Sequence, residues 1–87
     1  MTYRIVAHPE VQKEIKKLYK KDKVRYEYIK KKLKILSEQP DIGKPLRNVL
    51  KGKWRIQIGS FVLIYEIDNN DNKIILLRFE HHDNAYR

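Results

Sequence analysis

Trp54-Arg55-Ile56-Gln57-Ile58-Gly59-Ser60-Phe61-Val62-Leu63-Ile64-Tyr65-Glu66-Ile67 is the stretch in which the chain changes from helical to strand periodicity. Trp54, Ile56 and Ile58 alternate with Arg55 and Gln57, the two-residue repeat of a half-buried strand. Gly59-Ser60 offers a tight turn. Phe61 to Ile67 is apolar except for Glu66, as an inner strand covered on both faces requires. Asp68-Asn69-Asn70-Asp71-Asn72 is a second turn, made of residues whose side chains bond their own backbone. Ile74 to Phe79 then reads as the last strand of an antiparallel meander.

Working outward, Thr2 to Ala7 alternates with Tyr3, Ile5 and Ala7 on one side, a first strand. His8-Pro9-Glu10 reads as a helix entry, with proline tolerated in the first turn. Val11, Ile15, Leu18 and Tyr19 recur at helical spacing and predict a helix over 9–20. Asp22 suits the cap of a second helix. That helix carries Tyr26, Ile29, Leu33 and Leu36 on one face and runs to about Gln39, where Pro40 stops it. Asp41 to Lys53, with Gly43, Pro45 and Gly52, reads as a connection, and Glu80 to Arg87 as a polar tail. The order is β-α-α-β-β-β. It predicts an α+β fold, an N-terminal helical hairpin packed on one face of a small twisted, mainly antiparallel sheet, with residues 1–87 as a single domain.

Charge narrows the function. Twenty Lys and Arg against eleven Asp and Glu give +9 and a pI near 9.8 on 87 residues. Such a balance points to a polyanion or acidic partner, or to the charged surface of a heat-adapted protein. Between Lys13 and Lys34 eleven positive residues face Glu14, Asp22 and Glu27, so the hairpin is strongly basic opposite its apolar stripes. The chain has no cysteine, which excludes disulfide and thiol chemistry. No apolar stretch is long enough for a bilayer and the N-terminus lacks a signal-peptide core, so a cytoplasmic protein without membrane contact is expected.

Strand parity suggests where chemistry sits. If Trp54, Ile56 and Ile58 face the helices, Arg55 and Gln57 lie on the opposite face. Arg78 shares parity with Glu80 and, if the strand continues, with His82. Arg55, Gln57, Arg78 and His82 could therefore cradle a phosphodiester: arginine presents a planar fork to phosphate oxygens, and histidine exchanges a proton near neutral pH. Tyr86, four residues beyond His82, could stack on a base. The pair His81-His82 has no third or fourth ligand at suitable spacing, so neither a metal nor another cofactor is expected.

The N-terminal Tyr3-Arg4-Ile5-Val6, the basic hairpin, Pro45-Leu46-Arg47-Asn48, the Trp54–Ile67 block and the ending His81-His82-Asp83-Asn84-Ala85-Tyr86-Arg87 together resemble the RelE/ParE toxin superfamily. The resemblance covers essentially the whole chain and is most specific in the strand-turn-strand block and the terminal segment. It implies a toxin of a type II toxin–antitoxin pair that cleaves messenger RNA in the ribosomal decoding site. The reaction would be metal-independent attack of a ribose 2′-hydroxyl on phosphorus, and an acidic, RelB-like antitoxin would keep the toxin silent. By the same resemblance Arg55, His82 and Tyr86 take the catalytic positions and Arg47 and Gln57 RNA-binding ones, to which Lys53 and Arg78 are added as RNA-binding residues. Two residues depart from the pattern. Val62 stands where many active members have arginine, and Gln57 where lysine is frequent. These departures keep open a ParE-like inhibitor of DNA gyrase, or an impaired toxin that only binds its antitoxin.

Overall fold

The computed structural model describes residues 2–81. Its elements are β1 (Arg4–Ala7), α1 (Pro9–Lys21), α2 (Lys23–Glu38), β2 (Lys44–Pro45), β3 (Lys53–Ile58), β4 (Phe61–Asp68) and β5 (Lys73–His81), with single 3-10 turns at Pro40–Ile42 and Asn48–Leu50. The strands form one open sheet in the order β1-β5-β4-β3-β2. β1 runs parallel to β5, and every other pair is antiparallel. Among the described residues no helix is long and apolar enough to cross a membrane.

Local chemistry explains the helical hairpin. Pro9 occupies the first turn of α1, where a missing N–H costs nothing, and Lys20 and Lys21 complement the dipole at its other end. Asp22 joins the two helices. Its N–H donates to the Leu18 carbonyl at 2.8 Å, while its Oδ1 accepts from the Arg25 N–H at 3.1 Å. Val11 of α1 and Ile29 and Leu36 of α2 then bury against Ile58, Leu63, Tyr65, Ile74, Leu76 and Phe79 on the inner face of the sheet. β1 is closed at both ends of its free edge. Tyr3 N–H donates to the Ser37 carbonyl at 2.7 Å and Gln12 Nε2 to the Ala7 carbonyl at 2.8 Å, which blunts an edge that could otherwise pair with another chain.

The structure corrects the sequence reading in three places. The connection 41–53 contains a strand, β2, which pairs Lys44 with Arg55 and Pro45 with Trp54. Two residues cannot display an alternation, and proline is tolerated in a strand only at such an edge. The polar tail begins later than expected, because Glu80 and His81 continue β5. The third correction is a bulge. β4 and β5 pair Tyr65 with Leu76 but Ile64 with Arg78, so Leu77 is an extra residue. Ile74 and Leu76 are buried on the inner face and so is Phe79, three positions on. Strict alternation would have turned Arg78 inward with Leu76. The bulge keeps it on the outer face.

Candidate functional site

On the outer face the register lines up Lys44, Arg55, Ile64 and Arg78 across β2, β3, β4 and β5. The adjacent row is Gln57, Val62 and Glu80. Arg55, Val62, Ile64, Arg78 and Glu80 of these rows line a groove of about 280 Å³. Its walls are apolar, formed by Leu46, Leu50, Val62, Ile64 and Leu77, and Lys53, Arg55, Arg78 and Glu80 supply the charges. Val62 is 3% exposed, so the centre of the groove is an aliphatic surface. Two of the cations are paired with carboxylates: Lys53 Nζ lies 3.2 Å from Glu66 Oε1, and Arg78 Nη2 lies 2.7 Å from Glu80 Oε1.

One wall of this groove depends on the core. Tyr65 is fully buried on the inner face and stacks on Trp54 with ring centroids 6.4 Å apart. Its hydroxyl donates to the Pro40 carbonyl at 2.7 Å and accepts from Gly43 N–H at 3.2 Å. Burial pushes this phenol up to about 12, with the Gly43 N–H opposing the shift and the Asp41 charge adding to it. Gly43 fits because it has no side chain, since a Cβ there would meet Tyr65 Oη at 2.5 Å and the Arg55 carbonyl at 2.7 Å. From this anchor the chain turns through β2, and Leu46 N–H donates to the Lys53 carbonyl at 2.8 Å. Leu46 and Leu50 are thereby held over the sheet. Asn48 and Gly52, at φ 60° and 93°, supply the left-handed residues of the loop from β2 to β3.

Of the residues expected from sequence, Lys53, Arg55 and Arg78 come together in the groove. Gln57 shares their face but does not line the groove, and its Nε2 donates to the Gly59 carbonyl at 3.2 Å. Arg47 precedes the Asn48–Leu50 turn and also stays outside the lining. His82 and Tyr86 lie outside the described residues. The sequence reading missed Glu80 as a groove residue, although its shared parity with Arg78 was the signal that could have found it. It also missed Leu46 and Leu50, which no periodicity marks. A second depression, of about 470 Å³, lies where α1 meets the end of β5. There Phe61 stacks on Phe79 at 4.7 Å and meets the ring of His81 edge-on at 5.5 Å.

Two helices packed on a mixed, open five-stranded sheet, with this groove on the other side, define the RelE/YoeB toxin fold. The RelBE2 toxin–antitoxin complex of Mycobacterium tuberculosis contains a chain that matches with a TM-score of 0.78 and 26% identity, covering 93% of this chain and 99% of that one. The archaeal RelE–RelB complex of Pyrococcus horikoshii matches with a TM-score of 0.73 and 25% identity, covering 94% and 97%. Residues 5–86 match the family model described as the ParE toxin of the type II toxin–antitoxin system parDE, and the chain belongs to that family. The RelE4 protein of Methanocaldococcus jannaschii is 37% identical over 86 residues, 98% of this chain and 92% of the relative. The chain is therefore a RelE-family toxin of type II toxin–antitoxin systems.

Proposed function

We propose that this toxin is an endonuclease that cuts messenger RNA on the ribosome. The observation that carries the reading is the placing of Arg55 and Arg78 on either side of Ile64, with Lys53 at the same groove. Two guanidinium forks facing one strip of aliphatic surface suit a phosphodiester whose bases lie against that strip. In the reaction the ribose O2′ bonds to phosphorus as the bond to O5′ breaks, leaving a 2′,3′-cyclic phosphate and a 5′-hydroxyl. Arg55 and Arg78 would carry the charge that grows on the phosphoryl oxygens, beside aliphatic walls that lower the local dielectric. His82 and Tyr86 are proposed, on the resemblance alone, to donate the proton to O5′ and to hold the neighbouring base, and Arg47 to meet the backbone beyond the groove. An acidic, RelB-like antitoxin suits the +9 charge, and charge complementarity would speed its encounter. No metal or organic cofactor enters the scheme.

The test is translation of a defined messenger on purified ribosomes, with new RNA ends mapped by primer extension. Cuts within codons that require ribosomes, and that fall by about 10²–10³ with Arg55→Ala, support the reading. Intact messenger on active ribosomes would overturn it. One observation favours a second reading: the buried Val62 at the groove's centre withholds a cation there. A ParE-like inhibitor of DNA gyrase needs no such charge, and loss of supercoiling by purified gyrase would identify it.

A further inference from the structure

Glu80 is the one carboxylate lining the outer groove among the described residues. It stands on β5 opposite Val62, and its Oε1 is 2.7 Å from Arg78 Nη2. A groove that served only to hold a polyanion would gain from an uncharged residue there. The carboxylate repels phosphate, and it competes for the arginine that phosphate would need. Its side chain is one-third exposed, against two-thirds for Arg78, so it is the more covered member of the pair. An anionic group kept beside Arg78, in a groove that Arg55 also lines, has a chemical use if the reaction must take up a proton there.

Resting on the nuclease reading above, we propose that Glu80 is the base that removes the proton from the attacking 2′-hydroxyl. As O2′ bonds to phosphorus, its proton passes to the free carboxylate oxygen of Glu80. The P–O5′ bond breaks with its electron pair, and O5′ takes a proton from solvent or from a neighbouring acid. Charge growing on the phosphoryl oxygens makes the adjacent carboxylate hold a proton more readily just as the hydroxyl gives it up. Arg78 serves both partners. It orients the carboxylate before attack and turns its fork to the phosphoryl oxygens once Glu80 is neutral. The bulge at Leu77 is what makes this possible, since it brings Arg78 and Glu80 to the face that carries Arg55.

The charged groups around Glu80 come from three elements. Arg55 and Lys53 of β3 line the same groove, Lys53 being paired with Glu66. Glu10, Lys13 and Glu14 of α1 and the His81 ring share the depression on its other side. The β3 cations and Arg78 line the side a phosphate would occupy.

The experiment compares wild type, Glu80→Gln and Glu80→Asp in single-turnover cleavage of ribosome-bound messenger across pH 4.5–8.5, with affinity for a short non-cleavable 2′-deoxy analogue measured in parallel. The expected result is a 10²–10⁴-fold loss of rate in Glu80→Gln, with analogue affinity equal or higher because an anion has been removed. The low-pH limb of the wild-type profile should be absent from the glutamine variant, and Glu80→Asp should recover part of the rate. Equal or faster cleavage by Glu80→Gln would overturn the proposal and make the carboxylate a mere brake on Arg78. Loss of affinity in step with rate would also overturn it. A wild type that leaves the messenger intact would instead defeat the nuclease reading, and this proposal with it.

Discussion

Replacing Tyr65 by phenylalanine isolates the tie between the core and the groove wall. The ring stays, with its stack on Trp54, and only the hydroxyl is lost. That hydroxyl holds the Pro40 carbonyl at 2.7 Å and the Gly43 N–H at 3.2 Å, both behind a residue with no exposed surface. Removing one side of a buried hydrogen bond costs about 1–3 kcal/mol, because the abandoned group has given up water without a partner. Two backbone groups are abandoned here, but both belong to a turn that can relax toward solvent, so about 2 kcal/mol is the expected net loss. For a chain of this size each kcal/mol moves Tm by roughly 4–8 °C, which predicts a fall of roughly 8–16 °C. The assay is thermal unfolding followed by circular dichroism, with amide exchange read at Gly43. Exchange there should rise more than exchange in β4 and β5, because the turn opens before the sheet does. An unchanged Tm with Gly43 still protected would refute the tie and leave β2 held by its pairing with β3 alone.

Gly43→Ala attacks the same contact from the other side: its Cβ would press on Tyr65 Oη and on the Arg55 carbonyl, so a loss of about 1–3 kcal/mol is expected in chemical denaturation. Alkaline pH should act through Tyr65, whose phenol is raised from 10.0 to about 12 in the fold. The folded state keeps this proton longer than the unfolded chain, so the stabilisation is complete below pH 10 and is lost as pH rises from 10 through 12. Comparing the Tm of wild type and Tyr65→Phe between pH 9 and 12, which cancels the shared titration of the lysines, should show their gap closing as pH rises. Lys53→Ala should lower the salt dependence of binding to single-stranded RNA, reducing the slope of log affinity against log salt by about 0.7 if Lys53 neutralises one phosphate. A slope equal to that of wild type would remove Lys53 from the interface.

The helices and the meander were legible because each is written several times over. Asp22 appears as a cap and proves to be one, and the stripes of Val11, Ile29 and Leu36 find the inner face of the sheet. β2 was hidden for a physical reason: its position is set by the phenol of Tyr65, some twenty residues away, rather than by its own side chains. The bulge was hidden for another. Ile74 to Leu77 is an unbroken apolar run, so its residues fit either phase of a strand, and only pairing with β4 decides which face Arg78 takes. Parity grouped Arg78 with Glu80, but Glu80 was not taken as a site residue, because a carboxylate does not suggest itself in a cradle for phosphate.

Val62 decides how this groove must work. A cation at that position would lie between the Gln57 and Glu80 registers, close to any bound phosphate. Valine removes that charge and leaves an aliphatic floor, with Ile64, Leu77, Leu46 and Leu50 around it. An aliphatic floor lowers the local dielectric, so the attraction between a guanidinium and a phosphoryl oxygen is stronger there than between fully solvated groups. Fewer charges can then do the same work, provided they are oriented before the substrate arrives. Arg78 is oriented by Glu80, and the Leu46–Leu50 wall follows the segment that Gly43 and Tyr65 anchor. The stability of the connecting segment and the chemistry of the groove are thus one problem. Loosening the Tyr65 hydroxyl's hold on residues 40–43 should wet the groove and weaken its arginines without touching either of them.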